Sequence, residues 1–101
     1  MPAVSITFAG PNLVPALRIR DKDQKFHRIE LTDGKGTFDA TVGETYKIFW
    51  LVVGQPLISY SIKLEAPEDH KLEMERNPIK SKVPGGQAGF GREPFVLEVK
   101  K

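Results

Sequence analysis

Apolar and polar residues alternate with a period of two along most of the chain. This is the spacing at which successive side chains of an extended strand point to opposite faces. Val4, Ile6 and Phe8 alternate with Ser5 and Thr7, and Gly10-Pro11-Asn12 breaks the run. Leu17 and Ile19 alternate with Arg18 and Arg20 before a polar turn at Asp21-Lys22-Asp23-Gln24. Ile29 and Leu31 follow, with Phe26 nearby. Asp33-Gly34 then marks a hairpin, because Gly accepts positive φ and Asp tolerates it. Phe38, Ala40 and Val42 form the next alternating run and lead to a turn at Gly43-Glu44. Residues 46–53 make the strongest strand, and Gly54-Gln55-Pro56 ends it. Tyr60, Ile62 and Leu64, then Leu72 and Met74, then Phe95, Leu97 and Val99 complete the pattern.

Seven or eight short strands starting about 9–14 residues apart predict an all-β fold, a single antiparallel β-sandwich spanning residues 1–101. A small OB-like β-barrel is the alternative. A helix over Glu68–Arg76 is disfavoured, because Pro67 and Pro78 bracket the segment and the Leu72/Met74 spacing fits a strand.

The strand at residues 48–53 departs from simple alternation, since both of its faces are apolar. Ile48, Trp50 and Val52 share one face with Tyr46, whereas Phe49, Leu51 and Val53 share the other. A sandwich strand turns only one face to the core. Burying a second set stabilises by about 1.5–3 kcal/mol per side chain, and leaving it wet makes a patch that solubility disfavours. Phe49, Leu51 and Val53 are therefore the expected interface, with cover by a long loop, barrel-like closure or a ligand groove as alternatives. That loop is Ile79–Pro94, about sixteen residues with four glycines. Phe90 and Arg92 on it form an expected binding loop, with an aromatic placed to insert into a partner or stack on a sugar or base. Gly86-x-x-Gly89-x-Gly91 lacks the preceding strand and following helix that a phosphate-binding run requires.

Composition narrows the chemistry. With no cysteine, disulfides, thiolate metal sites and cysteine nucleophiles are excluded. Net charge is +2, but residues 18–28 carry +3 and residues 65–75 carry −4. Such asymmetry steers partners or aids self-association. His27 and His70 show no His-x-His or His-x-x-x-His spacing, and Asp21 and Asp23 fall short of a calcium ligand set. No Gly-x-Ser-x-Gly elbow is present. No stretch reaches the ~20 apolar residues of a membrane span, and the N-terminus does not read as a signal peptide, which favours a cytoplasmic location.

Val42-Gly43-Glu44-Thr45-Tyr46 leads into the long strand containing Trp50. This run resembles the corner of immunoglobulin-like and fibronectin-III-like sandwiches, where a Tyr hydroxyl ties the turn down. The resemblance implies a sandwich and no particular activity, because such folds host many functions. The expected function is a non-catalytic interaction module without catalytic, cofactor or metal residues, self-associating or protein-binding through its apolar strand face. A carbohydrate-binding module using Trp50, Tyr46 or Phe90 is the first alternative. A single-stranded nucleic-acid-binding barrel using Arg18, Arg20, Lys22, Lys25, Arg28 and Phe26 is the second. Nucleic acid is not the expected partner, because aromatic platforms on adjacent strands are not visible in the sequence. No membrane partner is expected.

Overall fold

The computed structural model describes residues 2–85 and 88–100. They form nine strands: β1 (Ala3–Ala9), β2 (Val14–Arg20), β3 (Phe26–Ile29), β4 (Lys35–Asp39), β5 (Thr45–Val53), β6 (Ser59–Glu65), β7 (His70–Met74), β8 (Ile79–Lys82) and β9 (Ala88–Val99). A four-stranded sheet has the order β4-β1-β6-β8, and a five-stranded sheet the order β3-β2-β5-β9-β7. Every ladder is antiparallel. The sheets stack as a sandwich, and no ladder among the described residues joins strands of different sheets. The barrel alternative is therefore not what forms.

The period-two pattern explains the packing directly. Val4, Ile6 and Phe8 of β1 and Tyr60, Ile62 and Leu64 of β6 point inward from one sheet. Leu17 and Ile19 of β2, Tyr46, Ile48, Trp50 and Val52 of β5, and Phe95 and Leu97 of β9 meet them from the other. Phe8 stacks on Tyr60, and Tyr46 stacks on Phe95. The indole N–H of Trp50 donates to the Tyr60 hydroxyl at 3.2 Å, so the one buried ring nitrogen has its acceptor across the core.

Two turns fix the register as the sequence predicts. Asp33 and Gly34 both take positive φ (53° and 76°), and Thr32 and Lys35 exchange both backbone hydrogen bonds around them. This is the two-residue hairpin that Asp-Gly favours, and here it carries the chain from the five-stranded sheet to the four-stranded one. At the second turn, Gly43 takes φ 86° and its N–H donates to the Leu97 carbonyl. The Tyr46 hydroxyl accepts from the Thr41 N–H at 2.8 Å and donates to Glu44.

The segment 79–94 departs from the sequence expectation. It is not one long loop. β8 occupies its start and the first half of β9 its end, leaving a short connection that includes Gly86 and Gln87, which lie outside the described residues. The physical reason is an inverted pattern in β9. Its inward positions are Gly89, Gly91 and Glu93, and its outward positions are Phe90, Arg92 and Pro94. Gly91 faces Trp50, and a Cβ there would sit 2.5 Å from Cζ2 of the indole. Gly89 likewise lies against the Tyr60 hydroxyl. The large rings fill the volume that side chains of β9 would otherwise occupy.

Candidate interaction surface

The outer faces of the two sheets differ in chemistry. The four-stranded sheet shows Ser5 and Thr7, Lys35 and Thr37, Ser61 and Lys63, and Lys80 and Lys82 to solvent. This is the ordinary polar exterior of a sandwich, with lysines on the short edge strand β8.

On the five-stranded sheet the register sets outward side chains in transverse rows. Val14, Val53 and Ala88 make one row, and Ala16, Leu51 and Phe90 the next. Arg28, Arg18, Phe49 and Arg92 follow, and then Phe26, Arg20, Lys47 and Pro94. The first two rows are wholly apolar, and the next two hold five cations and two phenylalanines. Phe90 is 80% exposed, Val14 69% and Phe26 51%. Of the acidic residues of the 65–75 segment, Glu73 lies on the far edge strand of the same face, where it stands opposite Val96 and Lys71 stands opposite Glu98. Lys71 pairs with both glutamates.

The sequence-predicted interface residues Phe49, Leu51 and Val53 all lie on this face. Among the described residues no loop covers them: Leu51 and Val53 are exposed, whereas Phe49 is half-buried by its own neighbours. Phe26 packs edge-on against Phe49 with centroids 5.3 Å apart, and the Arg20 guanidinium sits 5.2 Å over the same ring. Phe90 and Arg92 require a correction in local structure, because they belong to strand β9 and not to a flexible loop. Their partners across the ladder are Leu51 and Phe49, so the two predicted sites are one surface. Trp50 and Tyr46 are core residues, which leaves Phe90 as the one exposed ring of the three proposed sugar platforms.

The cations of the face are unevenly paired. Among the described residues Arg18, Arg92 and Lys47 have no carboxylate within ion-pair distance, and Arg28 has only the exposed Glu30 at 3.6 Å. Arg18 and Arg28 stand directly opposite one another, where like charges destabilise a sheet. Both also line an open cleft of about 740 Å³ beside Leu13, Leu17 and Ile29 on the flank of the sandwich.

The titratable residues singled out in the sequence serve the turns. Asp21 accepts from the Asp23 and Lys25 amides at 2.9 and 3.0 Å, and its other oxygen lies 2.7 Å from His27 Nε2. These hydrogen bonds, with His27 the largest contributor, hold the Asp21 carboxyl below its ordinary value. His70 Nδ1 lies 2.7 Å from the Glu68 carbonyl. Among the described residues no three His, Asp or Glu side chains are grouped to hold a metal ion.

Two residues escaped sequence reasoning. Glu93 is 3% exposed and accepts from the Glu75 and Arg76 amides through Oε2 and from Arg76 Nε through Oε1, each at 3.1 Å. It ties the end of β7 to β9. Arg76 also lies 6.0 Å over the Trp50 ring. Asn77 meets the Leu64 N–H and carbonyl with its side-chain amide, extending the ladder of β6 beyond β8. A carboxylate in an Arg-Glu-Pro run and an Asn before Pro give no signal of burial or pairing by themselves.

No family model, curated protein or solved structure matches the chain.

Proposed function

We propose that this sandwich is a non-catalytic interaction module that self-associates through the apolar end of the five-stranded sheet. The observation that carries the reading is the pair of apolar rows, Val14/Val53/Ala88 and Ala16/Leu51/Phe90, on an otherwise ordinary domain surface. Exposed apolar area of this kind, rimmed by charge, is characteristic of an association site. Two further features support it. Interface cores are rich in aromatic residues and arginine and poor in acidic side chains, as this face is beside its apolar end. The inward or clustered titratable groups, Glu93, Asp21, His27 and His70, are each engaged in holding backbone or turns.

Electrostatics selects the geometry. Stacking two whole faces about a two-fold along β5 would set Arg18 of one copy over Arg92 of the other, without a carboxylate between them. A two-fold running across the strands brings only the apolar rows together and leaves the cationic rows outside. This contact is smaller than the ~800 Å² per partner of a standard interface, so the dimer is concentration-dependent. Light scattering after size-exclusion chromatography, over a concentration series, tests it. The expected result is a molar mass that rises toward twice 11.3 kDa, with Val53→Asp folded and monomeric throughout. A wild-type protein that stays monomeric at every concentration overturns the proposal.

A further inference from the structure

We infer that the two cationic rows of the same face bind single-stranded nucleic acid. The inference goes beyond self-association and, apart from Phe90, rests on different residues. Phe90 on β9, Phe49 on β5 and Phe26 on β3 lie in three successive rows, so the rings descend diagonally across the sheet. At ~4.8 Å between strands and ~6.7 Å between same-face residues, the diagonal covers about 14 Å across the sheet and about 13 Å along it. Arg92, Lys47 and Arg20 flank this line on one side, and Arg18 and Arg28 on the other.

The chemistry matches one class of ligand. A single strand carries one phosphate per nucleotide and an unpaired base whose π-face stacks on an aromatic ring of any type. A line of rings between cations meets both needs at once. Arg18 and Arg28, side by side, repel one another until an anion lies between them. A duplex keeps its bases stacked inside and offers nothing to the phenylalanines. An acidic peptide would use the cations and leave the rings unused. The strand register therefore brings Phe49 and Phe90 onto adjacent strands and Phe26 onto the same face two strands away, which the linear sequence conceals.

Fluorescence anisotropy with a labelled oligothymidylate of about twelve nucleotides, at low salt, tests the inference. Binding is expected, with a log–log salt slope near −3, as about four to five phosphate contacts at ~0.7 each imply for a single strand. Arg18→Gln/Arg28→Gln is expected to flatten that slope by about 1.4. Phe90→Ala and Phe26→Ala each remove an exposed ring without a core contact and are expected to weaken binding roughly 5- to 150-fold. Val53→Asp, which blocks the proposed dimer contact, leaves both the phenylalanines and the arginines in place. Its retained binding would separate the two surfaces. No binding at low salt overturns the inference. So does equal affinity for duplex DNA, polyglutamate or anionic vesicles, or binding indifferent to the Phe substitutions, because each would reduce the surface to unspecific charge.

Discussion

Gly91→Ala tests the reason why β9 carries its pattern upside down. The Cβ it adds would stand 2.5 Å from Trp50 Cζ2 and 2.9 Å from Cε2, closer than real Cβ contacts come. The indole must move, and its hydrogen bond to Tyr60 goes with it. Overpacking a core costs about 1–3 kcal/mol, and losing a typical hydrogen bond about 1 kcal/mol, so the expected destabilisation is about 2–4 kcal/mol. For a domain of 101 residues each kcal/mol lowers Tm by roughly 4–8 °C, which predicts a fall of roughly 8–32 °C. Trp50 is the only tryptophan, so its fluorescence reports both the transition and the local shift. Two comparisons isolate the mechanism. Gly85→Ala, whose Cβ meets nothing within 4 Å, should unfold like the wild type. Trp50→Phe removes the atoms that clash, so the double variant Gly91→Ala/Trp50→Phe should lose clearly less than the sum of the single losses. A Gly91→Ala protein with wild-type stability and unchanged Trp50 emission would refute the account.

Three further predictions follow from the polar contacts. Glu93→Ala strands two backbone donors and should cost about 3 kcal/mol in urea denaturation, whereas Glu93→Gln keeps one acceptor oxygen and should cost roughly half as much; equal, small losses would mean the carboxylate is not what joins β7 to β9. Tyr46→Phe should cost about 1 kcal/mol and speed hydrogen exchange of the Thr41 amide selectively, while unaltered exchange would remove the hydroxyl from the corner. The Asp21 carboxyl is held below its ordinary value of 3.8, so its contribution to the β2–β3 turn is full above that value and is lost as pH falls through the lower, folded one. An NMR titration of the Asp23 and Lys25 amides should give a midpoint below 3.8, and a midpoint at or above it would show that the contacts to His27 and the amides do not favour the carboxylate.

The alternation of side chains determined most of this protein by itself. Period two is a property of the strand, so Val4/Ile6/Phe8, Leu17/Ile19 and Tyr60/Ile62/Leu64 identify both an element and its buried face without any tertiary knowledge. Asp33-Gly34 and Gly43-Glu44 place turns for an equally local reason, since positive φ is a matter of one or two residues. The doubled apolarity of residues 48–53 also announces that one of the two faces lacks cover inside a sandwich. Tertiary structure decided the rest. Gly89 and Gly91 read as loop because the rings that fill their side of the core, Tyr60 and Trp50, come from strands about 30 and 40 residues away in sequence. Which residues stand beside one another on the outer face depends on register between strands distant in sequence. Only the β2–β5 and β5–β9 ladders bring Arg18 and Arg92 to either side of Phe49 and set Phe90 next to Leu51. A basic strip and an apparent loop, separate in the chain, become one surface because hydrogen-bonded strands, not sequence neighbours, set the rows of a sheet.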